Sequence, residues 1–214
     1  MDKVDSINTK LEQIARKYYQ EDGSNQWPHI MRVKAQAEQL AAFRKKPLTT
    51  EELAAIYFHD IGKAEAGSQD HGEWAAQIAK PLIKDYLTPE QIERVTTAIK
   101  AHNYDKPSPS PEADLLRAAD ANKPDVAWFL RKSYYKMRAK GYGHKEALKN
   151  AKEGAKKHIM TAAQLKYRPK LYTEAFKHEI DTAEQQADKL STVQQVDNLI
   201  KQYEADHPDE SRYV

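Results

Sequence analysis

The chain repeats the signal that starts an α-helix, and that signal restricts its fold more than any other feature. Thr88-Pro89-Glu90-Gln91 sets a hydroxyl at the cap, a proline at the first helical position and a glutamine where a capping box needs one. Ser110-Pro111-Glu112 repeats the cap and proline, Thr49-Thr50-Glu51-Glu52 offers a second capping box, and Asn25 or Gln26 can cap a helix near Pro28. Between these starts the apolar residues recur at helical spacing: Ile30, Val33, Ala37 and Leu40; Leu53, Ile56 and Tyr57; Ile92, Val95 and Ile99. No stretch of alternating β-branched residues supports a strand.

The pattern predicts an all-α chain. Helices are expected at about 4–21, 28–45, 70–86, 89–103, 111–121, 124–140, 144–166 and 170–205, with another ending near 61. Gly62 and Gly67 mark a loop at 62–68, and Pro107 and Pro109 mark one at 103–110. Without a repeat or a linker, residues 1–205 read as one domain, and 206–214 as a disordered tail.

Composition narrows the chemistry. A chain of 214 residues buries about 70% of its unfolded surface and needs no covalent or metal staple. It has no cysteine, which excludes disulfides, thiolate zinc sites, iron–sulfur ligation and a cysteine nucleophile. Gly-rich phosphate loops are absent. No run of 18 apolar residues exists, so no membrane span is expected. Met1-Asp2-Lys3-Val4-Asp5 lacks a secretory pattern, so the expected location is cytoplasmic.

Charge is unevenly spread: net −3 over residues 1–130, +11 over 131–178 and −6 over 179–214. Lys145, Lys149, Lys152 and Lys156 share a helical face within the basic block. Such a face can line a cleft and concentrate a small anion, and stable binding to duplex nucleic acid is not expected. A non-catalytic helical module binding nucleic acid or nucleotides through 131–178 is the alternative reading.

Among the eight histidines, four stand out, together with two aspartates. Asp60 follows Leu53 by seven residues and Ile56 by four, so it points with the core face of its helix. A buried carboxylate needs a cation. His102 follows Ile99 by three, His29 precedes Val33 by four, and Asp120 follows Leu116 by four, each beside an apolar stripe. Several helices thus bring an imidazole or carboxylate inward near one end, which is how bundle metal sites are built.

His29, His59-Asp60 and Asp120 resemble the H…HD…D signature of the HD superfamily of metal-dependent phosphohydrolases. Trp27-Pro28-His29-Ile30-Met31-Arg32-Val33 looks like its first histidine motif. Leu53-Ala54-Ala55-Ile56-Tyr57-Phe58-His59-Asp60-Ile61-Gly62-Lys63 is the most specific string, and Ala118-Ala119-Asp120-Ala121 resembles the last motif. The likeness covers about residues 25–125. It implies an HD-type helical bundle with a helical C-terminal extension.

The resemblance also implies a divalent metal held by His29, His59, Asp60 and Asp120. Imidazole-rich ligation suits Mn, Fe, Co, Ni or Zn better than Mg. Such a metal lowers the pKa of a bound water and polarises a phosphoryl oxygen. A single ion is expected, with His71 and His102, similar to the extra histidines of some members, on the substrate side. The alternative is a second ion held by those two. Lys63 can pair with phosphate as a point charge, and Arg32 can orient a carboxylate or reach the substrate. Some nucleotidase relatives carry a carboxylate where this chain has Lys63. Proton transfer then falls to the bound water, His71, Glu73, Glu65 or Asp70, with Glu73 and Asp70, which flank His71 at an expected helix start, the closest candidates by sequence.

The implied substrate is a small anionic nucleotide. The implied reaction is release of pyrophosphate from a nucleoside triphosphate or of phosphate from a nucleotide. A cyclic-dinucleotide phosphodiesterase is disfavoured because Gly141-Tyr142-Gly143 is not the Gly-Tyr-Pro motif of that subgroup.

Overall fold

The computed structural model describes residues 3–21, 26–63, 71–102, 107–121, 125–164 and 169–208. Eleven helices have described bounds, and no strand occurs among the described residues. In chain order they are α1 (Lys3–Glu21), α2 (Trp27–Phe43), α3 (Thr50–Phe58), α4 (His71–Ile83), α5 (Pro89–Lys100), α6 (Pro111–Asp120), α7 (Val126–Ala139), α8 (His144–Gln164), α9 (Lys170–Ala175), α10 (Lys177–Lys189) and α11 (Val193–Asp206). The fold is all-α, as the caps and periodicity predict. None of these helices is long and apolar enough to cross a membrane.

The chain forms two compact units, one of Met1–Ala121 with Tyr167–Ala175, the other of Asn122–Lys166 with Phe176–Val214. In the first unit α3 is the central element. Every residue from Glu52 to Phe58 is buried, so the helix is apolar on all sides, as an interior helix must be. It packs against α1, α2, α4, α5 and α6.

The predicted cap at Thr49 forms completely. Its hydroxyl accepts from the Glu52 amide at 3.2 Å, and Glu52 accepts from the Thr49 amide at 2.9 Å. Glu52 is itself buried and is held by a two-pronged pair with Arg44 at 2.6 and 2.7 Å, which meets the cost of burying a carboxylate. Thr88 and Ser110 cap α5 and α6 as expected. Gln26 occupies the cap of α2 without a side-chain hydrogen bond, and Asn25 lies outside the described residues.

In the second unit α7, α8, α10 and α11 enclose a core of Val126, Leu130, Leu148, Ala151, Ala183, Val196 and Ile200 among others. Gly141 makes the turn between α7 and α8 at φ +88°, a left-handed conformation that glycine adopts without steric cost.

The single helix expected over 170–205 is three helices. One break falls at the buried Phe176, the other at Leu190–Thr192. The second has a local cause: Thr192 and Gln195 form a capping box, which starts a new helix. His207, in the expected tail, stacks on Tyr203 with ring centroids 4.2 Å apart. Residues 209–214 lie outside the described set, as do Glu65, Asp70 and the side chain of Lys156.

Candidate metal centre

All six candidate donors sit at or next to helix ends of the first unit. His29 is in the first turn of α2, and His59-Asp60 follow the last residue of α3. His71 opens α4, His102 lies two residues past α5, and Asp120 closes α6. Gly62 lets the turn after His59-Asp60 lie against α4. A Cβ there would stand 2.7 Å from both the Ala75 amide nitrogen and the Trp74 Cβ. Gly72 does the same between α4 and α5, where an added Cβ would meet the Ile99 and Lys100 carbonyl oxygens at 3.1 and 3.3 Å. These two close approaches bring His71 beside Asp60 and His102.

Donor atoms of the six residues fall into two triads, His29–His59–Asp120 and Asp60–His71–His102, with the atoms of each within 4.8 Å of one another. In the first, His29 Nε2 lies 3.3 Å from His59 Nε2 and 3.2 Å from Asp120 Oδ1. In the second, His71 Nε2 lies 2.7 Å from His102 Nε2 and 3.3 Å from Asp60 Oδ1. Asp60 joins the triads: its Oδ2 is 3.3 Å from His29 Nε2 and 3.9 Å from His59 Nε2. His71 and His102, expected on the substrate side of one ion, lie with Asp60 in the second triad.

The donor set fits divalent metal. His59 Nδ1 donates to the Ile56 carbonyl at 2.8 Å and His102 Nδ1 to the Ile99 carbonyl at 2.6 Å, which turns both Nε2 lone pairs inward. His71 Nδ1 is buried and has no partner among the described residues. His29 differs. Arg32 donates to its Nδ1 at 3.0 Å, and a guanidinium has only donors, so Nε2 carries the ring proton and donates to the carboxylates. For His29 to ligate through Nε2, the proton must move to Nδ1 and Arg32 must turn away.

The charges are mutually supporting. Burial pushes the Asp60 carboxyl up, but the His59 imidazole, hydrogen bonds from His29 and His71, and the Lys63 ammonium outweigh it and hold it far below the usual carboxylate range. Burial likewise opposes ionisation of Asp120, and the hydrogen bond from His29 leads the interactions that overcome it. Burial pushes His102 down to about 4. Two ionised carboxylates among imidazoles are the state in which a site binds cations.

Lys63 reaches Asp60 Oδ2 at 2.6 Å while its side chain stays 42% exposed, so it connects the buried carboxylate with solvent. Glu73 does not join the cluster. Two residues beyond His71, it lies on the far side of α4, and its carboxylate pairs with Lys100 at 3.1 Å. The expected acid or base role of Glu73 thus finds its carboxylate engaged outside the donor cluster.

Two supporting residues escape the sequence reading. Gln36 is buried and donates to the Ala118 carbonyl at 2.9 Å and to that of Ala121, bracketing Asp120. Arg117 is buried and donates to the Ala101 carbonyl, next to His102. The available signal was a polar residue within an apolar stripe: Gln36 falls three after Val33, and Arg117 interrupts Leu115-Leu116-Arg117-Ala118-Ala119.

Residues 27–123 match the family model described as HD domain, a span that contains all six donors. No curated protein and no solved structure matches the chain.

Proposed function

We propose that this chain, whose residues 27–123 are an HD domain of the kind found in metal-dependent phosphohydrolases, hydrolyses a phosphoester or phosphoanhydride bond of a small nucleotide at a two-ion centre. The observation that carries the reading is the pair of donor triads joined by Asp60. His29, His59 and Asp120 would hold one ion and His71 and His102 the other, with Asp60 offering one oxygen to each. This arrangement replaces the single four-ligand ion expected from the sequence, because His71 and His102 stand as close to Asp60 as the first triad does. Bound ions would supply Lewis-acid polarisation of a phosphoryl oxygen and an activated water. The imidazole share of the set favours Mn, Fe, Co, Ni or Zn.

The chain's own groups orient and exclude. Ile56 and Ile99 carbonyls fix the His59 and His102 rings. Gln36 and Arg117 hold the segments that carry Asp120 and His102. Lys63, tied to Asp60 at the solvent side, offers an ammonium to an incoming phosphate. Nucleoside triphosphate pyrophosphohydrolysis and nucleotide dephosphorylation are the two reactions we put forward. A cytoplasmic setting and a solitary small-molecule substrate complete the reading.

The test is a screen of purified chain, loaded in turn with Mn²⁺, Co²⁺ or Zn²⁺, against nucleoside mono-, di- and triphosphates. Metal-dependent release of phosphate or pyrophosphate is expected. Lack of release with every metal, together with tight and steeply salt-dependent binding to nucleic acid, would instead favour the binding module based on 131–178.

A further inference from the structure

The helix that His71 opens carries an exposed indole that the fold does not use. Trp74 is 48% exposed. The other large exposed hydrophobic side chains among the described residues are Val4, Phe43 and Tyr142, none of which belongs to the helix ends and turns that supply the donors. Trp74 stands one turn after His71 on α4, and its root abuts Gly62, between the ligand candidate Asp60 and Lys63. No ring stacks on it among the described residues, and its indole N–H has no hydrogen-bond partner among them. Its chain neighbour Glu73 is drawn away to Lys100. Lys63, whose ammonium reaches Asp60, and the exposed Trp74 are therefore rooted on either side of one glycine in the turn that carries Asp60.

We infer that Trp74 is a base-stacking residue of the substrate site, so the substrate carries a planar heteroaromatic base and is not a sugar phosphate or an inorganic polyphosphate. The inference rests on the reading of the centre as a phosphohydrolase site and deepens it. A phosphate needs only the ammonium of that pair. A large apolar ring in water next to it gains binding free energy when a flat partner covers it, and every nucleobase offers a π-face. The position also makes the side chain replaceable: Trp74 touches Gly62 through its Cβ, which leucine and phenylalanine retain.

The test uses full-length chain loaded with diamagnetic Zn²⁺ and carrying 5-fluorotryptophan at its three tryptophans. The probes are adenosine 5′-(α,β-methylene)diphosphate, which resists hydrolysis at the methylene bridge, and methylenediphosphonate, which has the same bridge without a base. Trp74→Phe identifies the Trp74 fluorine resonance. We expect that resonance to move with the nucleotide analogue and to stay in place with methylenediphosphonate. By calorimetry, Trp74→Leu should weaken the analogue about tenfold and leave methylenediphosphonate unchanged, while Trp74→Phe keeps most of the affinity. If the analogue binds and the Trp74 signal stays still, the stacking role is overturned and the metal-centre reading stands. If neither probe binds the Zn²⁺-loaded chain, the reading of the centre fails and the stacking role falls with it.

Discussion

Asp60 turns one carboxylate oxygen toward each triad, so the centre's geometry depends on one side chain. The sequence made it visible, since a carboxylate on the buried stripe of an apolar helix demands a cation. His59 and His71 stood out through the resemblance to the HD signature, whereas His29, His102 and Asp120 were legible for a like reason, each beside an apolar stripe near a helix end. Gln36 and Arg117 were not, because each acts on a carbonyl of a different helix, and no local pattern encodes that pairing. Arg32 offers a sharp check at this scale. Its hydrogen bond to His29 Nδ1 favours the tautomer that cannot ligate through Nε2. Arg32→Met is expected to tighten Zn²⁺ binding about tenfold by calorimetry, the worth of about one hydrogen bond to a charged group; weaker binding would mean that Arg32 supports the ligand. In the second unit, the Tyr135 hydroxyl donates to Glu204 at 2.6 Å, and that bond, with burial, pushes its pKa up to about 12. The raised value marks stability that is complete below the usual tyrosine pKa of about 10 and lost as pH rises toward about 12. Tyr135→Phe should lower stability by about 1 kcal/mol at neutral pH. It should also flatten that alkaline decline in urea titrations, and an unchanged decline would assign it to other groups.

Helix starts were the clearest elements in the sequence and helix ends the least clear. Thr49, Thr88 and Ser110 announce α3, α5 and α6 through hydroxyls that accept from amides three residues on. The same signal at Thr192-Val193-Gln194-Gln195 was present but hidden by apolar periodicity continuing across the break, which is why 170–205 read as one helix. The close approaches at Gly62 and Gly72 were not legible, because crowding comes from other helices. Two substitutions separate these effects. Gly62→Ala places a methyl 2.7 Å from the Ala75 amide nitrogen. It should cost about 2 kcal/mol by chemical denaturation and also weaken metal binding, since the turn carrying Asp60 must shift. Thr192→Ala removes a capping box in the second unit and should cost about 1 kcal/mol with metal binding unchanged. Equal effects of both on metal affinity would contradict the assignment of the centre to the α3–α4 turn.

For the molecule as a whole, the first unit holds every candidate donor, and the second carries most of the basic block without contributing one. Lys145 and Lys149 are exposed, whereas Lys152 is partly committed to the Ser191 carbonyl at 3.2 Å, so the basic face is narrower than its spacing suggests. The class of the fold followed from caps and periodicity alone. The division into two units did not, because α9 belongs with the first unit although it follows α8 in sequence. Hydrolysis by two ions held around Asp60 is checked by measuring metal content and phosphate release on one preparation of wild type and of Asp60→Asn. Wild type is expected to bind two ions per chain, to lose nucleotide hydrolysis on chelation and to regain it when metal is restored. Asp60→Asn should keep its helical content, retain little metal and release phosphate more slowly by about 100-fold or more. Hydrolysis that survives chelation, or stoichiometric metal in Asp60→Asn, would rule out a two-ion centre built on Asp60.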